Sequence, residues 1–285
     1  MRVLLLGGTG FIGHHAARCL CDEGYDVRVL HRRSSDLSVL DGLQLEKVVG
    51  DMFDPESLED ALSDVGVVLC CSGSSAWDVI GSNLVFRDLD MIFNLFEAVK
   101  AAGRPIRVIT LSSVAAVSGT SRPVVCDERD YSDESIAPYV AFKLEFEAMC
   151  RKYVADGLDI VILCPAEVFG VEDYRKVTCG NVIDAISGSC CSIVPRGGIT
   201  LCSVTGVARA MVSAIDKGVS GERYVLGGPR VTIREFYEAC QGLSGHELPC
   251  IELPGFIISP ICRFFSFFRF HIINPSVIPY IVRYC

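Results

Sequence analysis

Short apolar runs recur along the first two thirds of the chain, at Arg2–Leu6, Val27–Leu30, Leu45–Val49, Val65–Cys71, Ile106–Leu111 and Ile160–Cys164. They are apolar at nearly every position rather than at alternate ones, which predicts strands buried on both faces. Longer stretches with helical spacing lie between them, at Phe11–Glu23, Glu56–Leu62, Leu84–Ala102 and Ile136–Ala155. This alternation predicts an α/β fold with a doubly wound parallel sheet. Pro55 followed by acidic residues marks a helix start, because proline suits the first turn and carboxylates suit its positive end. After Pro165 the alternation loosens. Asn181–Ser187 and Val207–Lys217 read as helices, and Arg223–Leu226 reads as a further buried strand stopped by Gly227-Gly228-Pro229. Val231–Gln241 reads as a helix with Thr232 as its N-cap.

The junction of the first strand and first helix is Val3-Leu4-Leu5-Leu6-Gly7-Gly8-Thr9-Gly10-Phe11-Ile12-Gly13. Glycines spaced like this suit a phosphate-binding turn. One allows the tight bend, one lets backbone approach a pyrophosphate, and one lets the helix pack on the strand. An anion then sits on the free N–H groups of a helix N-terminus. The expected ligand is a dinucleotide. We therefore expect a Rossmann-type dinucleotide-binding domain over 1–166, joined again by 199–228. A smaller substrate lobe is expected from 167–198 and 229–285.

The 285 residues carry a formal charge of −9 and show no basic stripe, which argues against nucleic acid as a partner. The 15 cysteines are scattered and include no Cys-x-x-Cys, so zinc and thioredoxin-type chemistry lack their spacing and no metal site is expected. Most lie in apolar runs, where cysteine acts as a small hydrophobe, and a reducing, cytoplasmic setting is expected. No uncharged apolar stretch reaches the length of a membrane span, and Met1–Leu6 is too short for the apolar region of a signal peptide. The tail from Gly255 to Cys285 is rich in Phe and Ile, with Arg263, Arg269 and Arg283 interspersed. We read it as a buried or substrate-covering helix pair, with peripheral membrane contact as the alternative. A homodimer is compatible with the sequence.

The second strand runs into His31-Arg32-Arg33, where an acidic residue would bind the ribose 2′-hydroxyl of NAD. Basic residues suit a 2′-phosphate instead, which points to NADP with NAD as the alternative and to Arg32 as the contact. Asp51, after the third strand, suits the adenine amino group. Tyr139 and Lys143 stand at i and i+4, on one helix face. A phenol with a pKa of about 10 is a poor base at neutral pH, and a nearby ammonium favours its ionised form. Such a tyrosine can exchange a proton with a carbonyl or alcohol oxygen. Ser113, or alternatively Ser112, follows the fifth strand and can orient that oxygen.

With these motifs the chain resembles the short-chain dehydrogenase/reductase superfamily in its extended branch, the epimerase/dehydratase family. Gly7, Gly10 and Gly13 match its glycine motif, and Ser113, Tyr139 and Lys143 match its catalytic triad. Cys164-Pro165-Ala166-Glu167-Val168-Phe169-Gly170 is similar to its turn under the nicotinamide. The cofactor-facing set that the resemblance and the residues imply is Gly7, Thr9, Gly10, Phe11, Ile12, Gly13, Arg32, Asp51, Met52, Lys143, Pro165 and Val168. Dihydroflavonol-reductase-like and hydroxysteroid-dehydrogenase-like members are the nearest in character, which implies redox at a carbonyl or carbinol carbon. Several positions depart from the pattern. Phe142 replaces a common serine, Asp88 replaces an asparagine, and Ser203-Val204-Thr205-Gly206 replaces a His-Val-Asp-Asp segment. Where nucleotide-sugar epimerases carry an arginine for the diphosphate, this chain has Ile199. A diphosphate without that cation binds poorly. The expected activity is NADPH-dependent interconversion of a carbonyl and a secondary alcohol on a small apolar substrate. A sugar-nucleotide epimerase or dehydratase, and a non-catalytic dinucleotide sensor or assembly protein, are the alternatives. Trp77 follows the fourth strand and reads equally as substrate mouth or simple packing.

Overall fold

A computed structural model describes residues 1–74, 83–117, 125–132, 138–174, 192–245 and 250–253. The expected helix at Asn181–Ser187, Trp77 and the apolar tail lie outside the described residues. The strands are β1 (Arg2–Leu6), β2 (Asp26–His31), β3 (Glu46–Val49), β4 (Val65–Cys70), β5 (Arg107–Leu111), β6 (Asp159–Pro165), β7 (Glu167–Phe169), β8 (Ser192–Pro195), β9 (Gly198–Ser203), β10 (Arg223–Leu226), β11 (Arg230–Thr232) and β12 (Cys250–Leu253). The α-helices are α1 (Phe11–Asp22), α2 (Pro55–Ala61), α3 (Asp88–Ala101), α4 (Pro138–Ala155), α5 (Val204–Lys217) and α6 (Ile233–Ser244).

Seven strands form one parallel sheet in the order β10-β6-β5-β4-β1-β2-β3. This is the doubly wound arrangement the alternation predicts. Its strand order reverses between β1 and β4, where a crevice opens at the carboxyl ends of the strands. Side chains of a strand alternate between faces. Val3 and Leu5 of β1 accordingly face α1 and α5, beside Ala16, Leu20, Met211 and Ile215. Leu4 and Leu6 face the opposite layer, beside Leu58, Leu95, Phe96 and Phe146 of α2, α3 and α4. Both faces of β1 are dry, so that strand is apolar at every position after Arg2.

The smaller lobe holds a three-stranded sheet in the order β11-β9-β7 and the pair β12-β8. Here the structure differs from the expected division at 199. Residues 199–203 belong to the three-stranded sheet, and the chain returns to the central sheet through α5 and β10. The helix expected from Val231 starts later, because Arg230–Thr232 pairs with β9 as a strand. Thr232 is nevertheless the N-cap of α6, and it forms a reciprocal capping box with Glu235.

Nine cysteines, Cys70 and Cys164 among them, are free thiols. Burial pushes the Cys70 thiol up to about 11 and the Cys164 thiol up to about 12. Such thiols are inert small hydrophobes at neutral pH.

Candidate active site

Two glycines of the phosphate turn, Gly7 and Gly13, leave no room for a side chain. Gly7 has φ of 75°, and a side chain there would strike the backbone at Cys71 and Ser72, 2.7 Å away. The turn closes through Gly10 N–H donating to the Gly7 carbonyl at 2.9 Å. At Gly13 a Cβ would lie 2.0 Å from the Gly7 carbonyl oxygen. Gly10 is the N-cap of α1, no side chain caps that end, and its first turn holds no acidic residue. Its free N–H groups are therefore available to an anion. A cleft of about 480 Å³ opens there, lined by Thr9, Gly10, Phe11, His14, Asp36, Ser38, Val39, Glu172 and Tyr174. Replacing Gly13 by Ala drives a methyl group into backbone that cannot yield. We expect a stability loss of about 1–3 kcal/mol, the range for overpacking, in thermal unfolding. A loss of nucleotide binding is expected in a nicotinamide-fluorescence titration.

Arg32 and Arg33 follow the end of β2, are exposed, and have no ion-pair partner among the described residues. Asp36 lines the same cleft, but its carboxylate accepts from Ser38 N–H at 2.9 Å and is held below its usual pKa by that bond. Asp51 is half-buried beyond β3 and turns the chain locally by accepting from Phe53 N–H at 3.1 Å. Met52 is buried, and its carbonyl accepts from the Asn94 side chain at 3.1 Å. Pro165 ends β6. The next residue, Ala166, donates to the Leu226 carbonyl at 2.9 Å. Ile12 from α1, Leu111 and Val114 from the end of β5, and Val168 from β7 all pack around Ala166, Cys202 and Val207. That cluster brings the glycine turn, the serine segment and the proline turn to one end of the sheet.

Tyr139 and Lys143 lie on α4, both partly exposed. The Lys143 ammonium donates to the Leu111 carbonyl at 3.0 Å and lies 5.6 Å from the centre of the Tyr139 ring. It also lies 5.1 Å from the Phe142 ring and 5.3 Å from the Phe146 ring. Phe142, one of the departures from the family pattern, thus forms part of an aromatic wall around the cation. The structure separates the two serines. Ser112 is buried, and its hydroxyl donates to the Glu147 carboxylate at 2.5 Å. Ser113 is half-buried in an extended conformation, and its oxygen accepts from Ala115 N–H at 3.2 Å. Its hydroxyl proton is not used in that bond. Asp88 is buried and accepts from the Ser74 backbone at 2.5 Å and from its hydroxyl at 3.0 Å. Ile199 is half-buried in β9, opposite Val231 of β11.

One cluster was not legible in the sequence. His14, His15 and Glu172 place their ligand atoms within 4.8 Å of one another. Arg18 grips the same carboxylate through both guanidinium nitrogens, and His15 contacts the Val171 carbonyl at 3.1 Å. The guanidinium makes this an ion-pair latch between α1 and the segment after β7. No local pattern signals a pair 154 residues apart. The Arg18 hydrogen bond holds the Glu172 carboxyl down at about 2. A depressed carboxylate pKa adds stability that is present above the ordinary glutamate range and is lost as pH falls through about 2. Arg18→Ala removes that contribution, so its acid-unfolding midpoint, followed by circular dichroism, is expected at higher pH than the parent's.

Fold and glycine turn together define an NAD(P)-binding α/β protein, and comparison with known proteins narrows the class. The sequence profile described as NAD dependent epimerase/dehydratase family matches residues 3–227. The chain belongs to that family and is an NAD(P)-dependent oxidoreductase of the extended short-chain dehydrogenase/reductase type. It is 30% identical over 264 residues to sterol demethylase protein B of Methylococcus capsulatus, covering 89% of this chain and 78% of that one. A putative dihydroflavonol 4-reductase of Synechocystis sp. is 27% identical over 254 residues, 87% of this chain and 74% of that one. Among solved structures, that of gox2253 superposes with a TM-score of 0.85 at 26% identity, over 99% of this chain and 87% of that one. Among the described residues no helix is long and apolar enough to cross a membrane.

Proposed function

We propose that the chain reduces a carbonyl on an apolar substrate to a secondary alcohol with NADPH, or runs the reverse reaction. The single observation that carries this reading is the docking of Lys143 on the Leu111 carbonyl beside the Tyr139 ring. That contact delivers the Tyr/Lys pair to the strand end from which Ser113 projects. The free N-terminus of α1 and the glycine cradle at Gly7 and Gly13 fit a pyrophosphate. A bound nicotinamide supplies or accepts the hydride. Ser113 orients the substrate oxygen with its hydroxyl proton. Tyr139 gives that oxygen a proton as the carbon–oxygen π bond breaks. Lys143 stabilises the phenolate left behind, which regains a proton from solvent.

A hydrophobic substrate suits Ile199, which stands where a diphosphate-binding arginine is absent, and it suits the apolar tail. A relative whose name refers to sterol demethylation points the same way. The decisive assay is a panel of apolar ketones, sterol-sized ones included, followed by NADPH oxidation. Turnover of sugar nucleotides with none on apolar ketones would overturn the reading.

Cofactor choice rests on Arg32. A charge-assisted hydrogen bond contributes about 1.5–3 kcal/mol, so Arg32→Ala should weaken NADPH at least tenfold and leave NADH unchanged in a nicotinamide-fluorescence titration. Equal affinities for the two in the parent, unmoved by the substitution, would sink the 2′-phosphate argument.

A further inference from the structure

Glu147 is fully buried, and so nearly is its partner Arg223. Burying a carboxylate and a guanidinium costs desolvation that an apolar pair of similar volume avoids, so the pair is poorly explained by stability alone. Its surroundings suggest another use. Tyr139, Lys143 and Glu147 succeed one another at i, i+4 and i+8 along one face of α4. Lys143 holds the Leu111 carbonyl at 3.0 Å, and Glu147, one turn deeper, holds the Ser112 hydroxyl at 2.5 Å. Two consecutive residues of the β5 end are thereby pinned to two consecutive turns of the helix. The next residue is Ser113.

The other side of Ser113 is held through the same pair. Arg223 lies on Glu147 with Nε 3.1 Å from Oε2, a charge contact outside hydrogen-bond alignment, and with Nη2 3.4 Å from Oε1. Its Nη1 donates to the carbonyls of Asp130 at 2.9 Å and Glu128 at 3.3 Å, and its guanidinium stacks 4.0 Å from the centre of the Tyr131 ring. The adjoining Ser132 then bonds back to the turn after Ser113. Its hydroxyl donates to the Ala115 carbonyl and its N–H to the Ala116 carbonyl, each at 3.0 Å. The contacts form a closed ring, from Ser112 through Glu147, Arg223 and residues 128–132 to Ala115 and Ala116.

We infer that Glu147 is a positioning residue for the Ser113 turn, held in place by Arg223, and that this buried pair sets the geometry of the Ser113–Tyr139–Lys143 site. The inference rests on the redox reading above for its effect on rate, although the ring itself does not. Glu147 is closed off from solvent and acts through Ser112.

The test removes both charges together, as Glu147→Leu with Arg223→Met, in the full chain. The expected result is a melting midpoint no lower than the parent's and NADPH affinity within about twofold. In the same variant kcat falls at least tenfold with little change in KM, and the pH profile of kcat is displaced. Amide hydrogen exchange, read by mass spectrometry, should quicken at least tenfold across 112–117 while staying unchanged in β1–β3. Parent values of kcat and of exchange over 112–117 in the folded double variant overturn the inference. If the double variant does not fold, Ser112→Ala decides. It severs the ring without stranding a charge, and Ser112→Cys should partly restore the parent's behaviour. Unchanged exchange and kcat in Ser112→Ala overturn the inference equally. Failure of the redox reading is distinguished by Tyr139→Phe. Full turnover in that variant removes the proposed proton transfer, and the exchange measurement still decides whether Glu147 holds the turn.

Discussion

Replacing Tyr139 by Phe is expected to lower kcat by about 10²–10⁴-fold, the range supplied by a positioned proton donor, with NADPH affinity unchanged. The substitution deletes one oxygen. The ring stays against Phe142, the Lys143 ammonium keeps its bond to the Leu111 carbonyl, and α4 keeps its register. Steady-state kinetics on the best apolar ketone, beside a nicotinamide-fluorescence titration, reads both quantities. A loss confined to KM would assign Tyr139 to substrate binding instead. A non-catalytic sensor would show no turnover in either protein.

The second large effect is on stability. Glu147→Ala leaves the Arg223 guanidinium in the interior with its counter-charge gone. Removing one partner of a buried pair costs about 3–5 kcal/mol. At the few degrees per kcal/mol typical of chains of this size, the melting midpoint should fall on the order of 10 °C. The apolar double substitution should recover that loss in full, because the expensive species is the lone charge. Calorimetry on the single and double variants closes the cycle, and additive single effects would show that the two residues do not act as a pair.

These predictions draw on features with different visibility in the sequence. The glycine turn was legible because backbone constraints are written in residue type. A φ of 75° at Gly7 and a 2.0 Å approach at Gly13 admit no side chain. Tyr139 and Lys143 were legible because helical periodicity puts i and i+4 on one face. The inner strands β1 and β4 were legible because both their faces are buried and nearly every position is apolar, whereas edge strand β3 carries the exposed Glu46 and Lys47. The edges of the smaller lobe were less clear. Its strands are three to six residues long, and Arg230–Thr232 becomes a strand only because β9 offers it a partner.

By itself the sequence determined the class of fold and the glycine turn, and it put Tyr139 and Lys143 on one helix face. Each of these follows from local rules of spacing and allowed backbone angle. Tertiary structure alone decided which serine is tied to a buried carboxylate. Ser112 and Ser113 are chemically identical neighbours, and they differ only because α4 brings a buried carboxylate to the first from 35 residues away. It also joined Arg18 to Glu172 and Arg223 to Glu147. Ion pairs between residues far apart in the chain leave no periodic trace, because charge attracts through space and takes no account of sequence distance.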